Sequence, residues 1–202
     1  VAKYINAPRG RHICYCYIPT RALWQRETYF SSSFKGKLIV PFLNYLKKRD
    51  LEASSGVDKF ISISENTKRH IKKTYGRDSY VINSPIVCKN FSSVESKKEF
   101  YLLVSRLEKW KALEHAIQAF NSNKKSLKII GTGSDEVSLK RLAENNIEFL
   151  GSVNDLQLAE FYASAKGVIF TPELEYGLIP LEANASGTPV ICFGRGGVTE
   201  TM

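Results

Sequence analysis

The chain has 202 residues, of which 43% are hydrophobic and 24% are charged, and its formal net charge is +9 at pH 7. These are ordinary values for a globular protein, so they exclude a disordered or collagen-like chain. The apolar runs are short, as in LIVPF at residues 38–42, and none reaches the length that a membrane-spanning helix needs.

Positive charge is concentrated in the first half of the chain. Residues 1–100 contain 19 Lys and Arg against 8 Asp and Glu, whereas residues 101–202 contain 10 against 12. A basic half indicates an anionic partner, either an acidic membrane surface or nucleic acid, although a soluble lysine-rich surface has the same composition.

The first predicted element is a buried strand over residues 13–17, which alternation and aromatic residues favour. The loop after it contains a proline and presents Tyr17, Thr20 and Arg21. In a parallel sheet such a loop lies at the carboxyl edge, where ligands usually bind.

Apolar residues at every fourth position then predict a helix over residues 29–48, ended by the basic run KKRD and kinked or broken at Pro41. Strands are predicted over residues 57–64 and 79–82.

A helix is predicted between these two strands, where Ser64 or Asn66 can cap it and Gly76 ends it. Its exposed face is basic and is the candidate membrane-contact surface, although a soluble helix would have the same pattern. The basic residues are Lys68, Arg69, Lys72 and Lys73.

The cysteines favour reduced structural thiols over a metal site. Cys14 and Cys16 point to the same face of the first strand, but no second pair at zinc spacing follows and His12 is isolated. Cys88 and Cys192 lie in apolar or strand-like settings. We therefore expect no bound metal.

The second half alternates strictly between strand and helix, after an aperiodic linker at residues 85–99 that contains polar residues and a charge run. Short apolar strands in this alternation predict a parallel sheet covered on both faces. The predicted strands are residues 100–105, 127–131, 147–151, 167–170 and 189–193, and the predicted helices are residues 112–120, 134–146, 155–165 and 179–187.

The carboxyl ends of parallel strands feed one crevice, so the residues after each strand can act together. Arg106 and Lys111 follow the first strand and are suited to a diphosphate. Gly131 and Gly133 follow the second and let a ligand approach the backbone, although the third glycine of a dinucleotide fingerprint is absent. Asp155 is predicted to be a helix cap rather than a ligand contact.

The stretch at residues 170–187 leads from a strand through an acidic turn directly into a helix. The backbone amides of Tyr176, Gly177 and Leu178 would meet a phosphate at that helix start, and Glu182 could hold a sugar hydroxyl one turn later. Alternatively, the acidic turn is a solvated loop and Glu182 is a surface residue of the helix. Together with the two cations and the two glycine turns, the helix start favours a nucleoside diphosphate.

Several of these segments carry a resemblance to a known family. SRLEKWK, IIGTGS, NNIEFLGSVND and above all EYGLIPLEANASGTPVI resemble the carboxyl-terminal nucleotide-binding half of GT-B glycosyltransferases of family 4. CYCYIPTRALW, VDKFISISENTKRHIKKTYG and VINSPI are similar to the end of the acceptor-side domain in bacterial mannosyltransferase-like members that build surface polysaccharides.

The resemblance implies an α/β protein with two Rossmann-like domains, the N-terminal one incomplete. Residues 1–84 would be the remainder of the acceptor-side domain, residues 85–99 the linker, and residues 100–202 a nucleotide-sugar-binding domain truncated at its end. The chain would then be a fragment lacking both ends, poorly soluble and inactive alone.

The implied reaction is the retaining transfer of a hexose, with mannose favoured, from a nucleoside-diphosphate sugar to a lipid-linked or saccharide acceptor in surface glycan synthesis. No cofactor, no obligatory metal and no nucleic-acid partner are expected. The protein would be cytoplasmic and peripheral to the inner face of the cell membrane, which it would contact through its basic half.

The motif match also implies residue roles. Catalytic roles go to Arg106 and Lys111, which would neutralise the leaving diphosphate, and to Glu173. The implied contacts with the acceptor come from Tyr17 and Arg21. The implied contacts with the donor substrate come from Gly131, Gly133, Val153 and Glu182, and from the amides after Tyr176, at Gly177 and Leu178.

Two positions depart from the family pattern. Leu174 stands where a glutamate is usual, so either the loop is shifted by one residue or a sugar-proximal contact is lost. Tyr17 stands where a histidine is usual and cannot supply an imidazole. These departures favour an alternative, a catalytically silent nucleotide-sugar-binding module; a basic nucleic-acid binder is a third hypothesis, favoured by charge alone.

Overall fold

The computed structural model describes residues 2–5, 10–24 and 40–202. The chain forms two compact units, Val1–Ser84 and Pro85–Met202. Among the described residues, no helix is both long and apolar enough to cross a membrane.

The first unit is built on a parallel sheet of three strands in the order β1-β2-β3. They are β1 (Ile13–Cys16), β2 (Lys59–Ser62) and β3 (Ser79–Val81), and the described helices are α1 (Arg21–Trp24), α2 (Val40–Ser55) and α3 (Glu65–Tyr75). The core of this unit consists of Cys14, Cys16, Val57, Phe60, Ile71 and Tyr75.

Helix α3 has the predicted ends. The side chain of Ser64, rather than that of Asn66, accepts a hydrogen bond from the Thr67 amide, and Gly76 ends the helix with a φ of 65°. Only glycine adopts that left-handed conformation without a steric penalty, which is why the helix stops there.

The predicted helix over residues 29–48 is wrong at its end. Residues 25–39 lie outside the described part of the chain, and the described helix runs from Val40 through the basic run to Ser55. Helix α2 continues because Asp50, within that run, is buried and ion-paired. Pro41 lies in the first turn of the described helix, where its missing N–H costs nothing. The predicted kink or break at Pro41 adjoins residues outside the described part of the chain and stays a prediction.

The cysteines of β1 share its buried face, as the alternation predicts. Burial raises the pKa of the Cys16 thiol to about 12, so this thiol is protonated at neutral pH. All four cysteines are free, and within the described ranges no group of three His, Cys, Asp or Glu could hold a metal ion.

The second unit contains a parallel sheet of five strands in the order β6-β5-β4-β7-β8. The strands are β4 (Phe100–Val104), β5 (Ser126–Ile130), β6 (Ile147–Gly151), β7 (Gly167–Phe170) and β8 (Val190–Cys192). The helices are α4 (Leu113–Asn123), α5 (Glu136–Leu142), α6 (Asp155–Ser164) and α7 (Leu178–Ala185).

Both faces of this sheet are covered, as predicted. Leu103, Leu127 and Ile129 pack with residues of α4 and α5 in one cluster. Leu102 and Val168, whose side chains leave the sheet on the other side, pack with residues of α6 and α7. The alternation of strand and helix is therefore confirmed.

Two local predictions in this unit are wrong. Helix α5 ends at Leu142 instead of residue 146, because Ala143 is extended and the Asn146 side chain donates to the carbonyl oxygens of Phe120 and Lys125. The cap of α6 is Asn154, which forms a capping box with Gln157, so Asp155 is the first helical residue and not the cap.

The segment at residues 85–99 is attached to the second unit. Phe91 packs against the α6 and α7 side of the core. The ammonium group of Lys97 donates to the carbonyl oxygen of Ala163 at 2.6 Å and to Oγ1 of Thr188 at 2.7 Å.

A buried carboxylate organises the first unit around the loop after β1. Asp50 is 1% exposed and accepts hydrogen bonds from Lys3 at 2.6 Å, from the Tyr75 hydroxyl at 2.8 Å and from Trp24 Nε1 at 2.9 Å. Thr20 donates to it at 3.3 Å. One side chain of α2 thus holds the amino-terminal segment, the loop after β1 and α3 together.

We predict that Asp50→Ala destabilises the first unit by about 3–5 kcal/mol, because it leaves the buried Lys3 cation without its partner. Urea unfolding of the variant and the parent protein measures the difference. Glu52→Ala is the control: Glu52 lies on the same helix in an exposed pair with Arg49 and should contribute about 0–1 kcal/mol. Equal effects of the two substitutions would contradict the prediction.

The pH dependence of this contribution follows from the pKa of Asp50. Burial raises that pKa, but hydrogen bonds from Lys3, Trp24 and Tyr75 outweigh it and hold the pKa below its usual value. The stabilisation is therefore present above the usual aspartate pKa and is lost as pH falls through the lowered one. The stability difference between the parent protein and Asp50→Asn should shrink in acid, and a difference that grows in acid would contradict this.

Candidate functional site

The candidate site lies at the carboxyl edge of the five-stranded sheet. The chain moves outward from β4 through β5 to β6 and then returns to β7 on the other side of β4. This reversal makes the gap between β4 and β7 the topological switch point, where α/β sheets open a ligand crevice. Two loops border it: the cation loop, residues 105–112, and the acidic loop, residues 171–177.

A direct contact joins these two loops. The hydroxyl of Thr171, the first residue of the acidic loop, donates a hydrogen bond to the carbonyl oxygen of Lys111 at 2.9 Å. The end of the cation loop is therefore held beside the start of the turn that leads into α7.

The two predicted cations are in different surroundings. Arg106 is exposed, and its guanidinium makes no hydrogen bond or ion pair with the part of the chain that the structure describes. Lys111 is only 8% exposed, and its ammonium group lies 4.3 Å from the centre of the Trp110 ring. Arg106 is thus accessible to an anion, whereas Lys111 is partly enclosed by its own loop.

The glycines after β5 allow the cation loop to approach their backbone. A Cβ at Gly131, whose φ is +130°, would lie 1.8 Å from the Ser105 carbonyl oxygen, and one at Gly133 would lie 2.2 Å from that of Leu107. The Leu107 amide also donates to the carbonyl oxygen of Thr132 at 2.9 Å. The nearest neighbour of both glycines is thus the cation loop itself, which they fix in place.

The acidic loop is held by the segment after β8. Leu174 forms a parallel bridge with Gly196, and its carbonyl oxygen accepts from the Gly197 amide at 2.7 Å. Leu174 is half-buried in this position, whereas Glu173 is exposed and Glu175 is half-buried.

Helix α7 begins directly after this loop, with Gly177 at its N-cap. The amides of Gly177, Leu178 and Ile179 donate to no described residue, and Pro180 has no amide hydrogen. Unpaired amides and the positive end of the helix dipole favour an anion at this point.

Glu182 lies one turn into α7 and is half-buried. Its Oε2 accepts a hydrogen bond from the hydroxyl of Tyr162 at 2.9 Å. Burial raises the pKa of Glu182 and the nearby Asp155 adds to the increase, while the hydrogen bond from Tyr162 opposes it. The surface-residue alternative for Glu182 is not supported, because its carboxylate faces a fully buried tyrosine.

The other predicted contacts belong neither to the two loops nor to α7. Val153, after β6, is half-buried and packs against the α6 and α7 side of the core. Tyr17 and Arg21 belong to the first unit, where Tyr17 is 61% exposed, its carbonyl oxygen accepts from Thr67 at 2.9 Å, and Arg21 begins α1.

Sequence reasoning missed three features of this site. In the sequence, Thr171 is an ordinary residue after a strand and Tyr162 is an ordinary core residue of a helix. A single sequence does not indicate which residue each of them contacts. The pair Gly196 and Gly197 did carry a signal, because adjacent glycines often mark a close approach of backbone. A Cβ at Gly197 would lie 1.7 Å from the Glu175 carbonyl oxygen.

The chain is similar to several known proteins. The family described as Glycosyl transferases group 1 matches residues 89–202, more than half of the chain. The alpha-1,3/1,6-mannosyltransferase ALG2 of Kluyveromyces lactis is 24% identical over 98% of this chain and 49% of that protein. An uncharacterized glycosyltransferase of Methanocaldococcus jannaschii is 32% identical over 54% of this chain and 30% of that protein. The chain spans about half the length, or less, of these relatives.

Among solved structures, Anabaena Alr3699/HepE in complex with UDP and glucose matches with a TM-score of 0.73. The match covers 95% of this chain and 55% of that one at 17% sequence identity. It confirms the predicted fold class, an α/β protein of GT-B type. Since the family match includes the five-stranded sheet, both loops and α7, the chain belongs to the group 1 glycosyl transferases.

Proposed function

We propose that this chain is part of a retaining GT-B glycosyltransferase of family 4 that moves a hexose, with mannose favoured, from a nucleoside-diphosphate sugar to a lipid-linked or saccharide acceptor in surface glycan synthesis. The observation that carries the proposal is the contact between Thr171 and Lys111, which brings the cation loop to the start of α7. In this proposal, the cations Arg106 and Lys111 and the first amides of α7 border the same crevice.

In the proposed donor complex, the diphosphate lies between the cation loop and the start of α7. Arg106 supplies a planar fork of donors, and Lys111 supplies a point charge if its side chain turns outward from Trp110. The amides of Gly177 and Leu178 bind the same phosphates, Glu182 accepts a hydrogen bond from the ribose, and Gly131, Gly133 and Val153 border the nucleoside.

The proposed chemistry depends on stabilising the leaving group. When the bond from the sugar to the diphosphate breaks, negative charge grows on the diphosphate, and the cations Arg106 and Lys111 are proposed to stabilise it. These charges would replace a divalent ion, so we propose that the transfer needs no metal. Glu173, at the exposed side of the acidic loop, is the carboxylate proposed to face the transferred sugar. Tyr17 and Arg21 are proposed for the acceptor side.

The similar proteins support this donor class. The Kluyveromyces lactis relative is an alpha-1,3/1,6-mannosyltransferase, and crystal structures of the Anabaena neighbour contain UDP, glucose or UDP-glucose. The Anabaena complexes support a sugar nucleotide as the donor. Mannose is favoured by the ALG2 relatives.

One observation favours the alternative, a silent nucleotide-sugar-binding module. Leu174, at the position where the family usually has a glutamate, is held in a bridge with Gly196. If Glu173 cannot reach the sugar from its neighbouring position, the site would bind the donor without transferring the sugar.

We predict that Arg106→Ala lowers kcat/KM of the full-length protein on the order of 100-fold, because a donor to the departing diphosphate is lost. Release of nucleoside diphosphate from UDP-glucose, UDP-N-acetylglucosamine and GDP-mannose, with and without acceptor extract, measures it. Arg141→Ala, an exposed arginine in the last turn of α5, is the matched control and should leave the rate unchanged.

The same assay separates the two candidate functions. Acceptor-dependent release of diphosphate supports the enzyme. Thermal stabilisation by a sugar nucleotide without any release supports the silent module. If no sugar nucleotide stabilises the protein, both proposals are wrong.

The contact of Gly197 with the acidic loop provides a second test. We predict that Gly197→Ala lowers sugar-nucleotide affinity at least tenfold, because its Cβ would displace the Glu175 carbonyl and the turn that precedes α7. Calorimetric titration with UDP-glucose and GDP-mannose measures the affinity. In Gly194→Ala, the added Cβ has no atom within 4 Å, so this variant should bind like the parent protein. Unchanged affinity in Gly197→Ala would remove the acidic loop from the donor site.

Peripheral membrane contact is proposed for the first unit, through the basic face of α3. Lys68 pairs with Glu65 and Lys72 with Asp78, whereas Arg69 and Lys73 pair with no carboxylate within the described ranges. Loss of these two cations should weaken binding to anionic vesicles by roughly 30-fold, since each is worth about 1 kcal/mol near such a surface.

Sedimentation with phosphatidylserine-containing and pure phosphatidylcholine vesicles measures that binding. The variant is Arg69→Gln with Lys73→Gln, and the control is Lys124→Gln with Lys125→Gln, which removes the same charge from the second unit. Equal losses in both variants would mean that net charge, and not this helix, determines the binding.

A further inference from the structure

We infer that Tyr162 is a positioning residue, which orients the Glu182 carboxylate for the ribose of the donor. The inference rests on the proposed function and names a residue to which the motif match gives no role. It is carried by the hydrogen bond from the Tyr162 hydroxyl to Glu182 Oε2 at 2.9 Å.

Tyr162 is held firmly enough to act in this way. Its side chain is 0% exposed, and its ring packs edge-to-face on Phe91 with the ring centres 6.1 Å apart. Its carbonyl oxygen accepts a hydrogen bond from Thr188 at 2.6 Å, and Thr188 in turn accepts one from Lys97 at 2.7 Å. Both the backbone and the ring are therefore fixed before any ligand arrives.

The hydrogen bond leaves a defined part of the carboxylate for the ligand. Oε2 of Glu182 accepts from Tyr162, whereas Oε1 accepts from no described residue and is the acceptor we propose for a ribose hydroxyl. A carboxylate held by one buried donor has lost most of its rotational freedom, so less entropy is lost when the ligand binds.

The same hydrogen bond also affects ionisation. The groups that act on Glu182 are Tyr162 and Asp155, and both belong to α6. Burial and Asp155 raise the pKa of Glu182, whereas the hydrogen bond from Tyr162 lowers it. Without the hydroxyl, Glu182 would therefore become protonated at a higher pH and lose its charge in a range where the parent protein keeps it.

The test is the pH dependence of donor binding in the full-length protein. UDP-glucose and GDP-mannose are titrated by calorimetry from acid to neutral pH; the diphosphate of a sugar nucleotide does not titrate in this range. Tyr162→Phe removes the hydroxyl and keeps the ring against Phe91. We expect it to bind about tenfold more weakly at neutral pH, with the loss of affinity in acid beginning at a higher pH than in the parent protein.

Glu182→Gln provides the second variant, because its side chain cannot titrate and has nearly the same shape. Its binding should be weak and should not decline further in acid, and adding Tyr162→Phe to it should change little. Thermal unfolding of each variant in the absence of ligand measures any general loss of structure.

Three results would overturn the inference. The first is a Tyr162→Phe variant that binds like the parent protein. The second is a variant that loses the same factor of affinity at every pH, which is the result expected of a purely structural residue. The third is a Glu182→Gln variant whose affinity for the sugar nucleotide falls in acid as that of the parent protein does. If neither sugar nucleotide binds the parent protein, the proposed function fails and the inference fails with it.

Discussion

The candidate site depends on the close approach of two loops at the switch point of the five-stranded sheet. Strands β4 and β7 are neighbours in space but are separated by more than 60 residues in sequence. The hydroxyl of Thr171 closes the gap between their loops by binding the Lys111 carbonyl at 2.9 Å. Every proposed donor contact of the cation loop and of α7 needs this approach.

Local fields matter more at this site than the net charge of the region. Residues 101–202 contain 12 acidic and 10 basic residues, so the half of the chain with the candidate phosphate site is slightly negative overall. The proposed anion site depends instead on local groups, because Arg106 is not neutralised by a described carboxylate and the first amides of α7 donate to no described residue. The basic first half would act on other partners.

The sequence predicts the architecture well because hydrophobic periodicity is a local signal. The strands 147–151 and 167–170 have the predicted bounds, and the ends of α3 follow from Ser64 and Gly76. Where prediction fails, a tertiary contact decides: α2 continues through a charged run because Asp50 is buried with Lys3. The cap of α6 is different, because Asn154 and Gln157 form a capping box within three residues, a local signal that the prediction of Asp155 overlooked.

The candidate site follows the same division between local and tertiary signals. The parallel topology of the sheet is enough to indicate that the residues after its strands converge. The spacing of the motif that resembles the family identifies Glu182. The partner of Glu182 could not be predicted, because Tyr162 lies in a helix whose apolar pattern indicates only burial. Likewise, Gly131 and Gly133 indicate that something approaches their backbone, but the structure identifies the cation loop as the neighbour.

The register of the acidic loop bears directly on whether this site can transfer a sugar. A shift of one residue would bring a glutamate to the position of Leu174, but it would replace the observed bond from the Gly197 amide to the Leu174 carbonyl and the bridge between Leu174 and Gly196. Neither glycine has room: a Cβ there would lie 2.5 Å from the Leu174 carbonyl oxygen or 1.7 Å from that of Glu175. In the observed register, the carboxylates nearest to Leu174 in sequence are those of Glu173 and Glu175, of which Glu173 is exposed and is the one proposed to face the sugar.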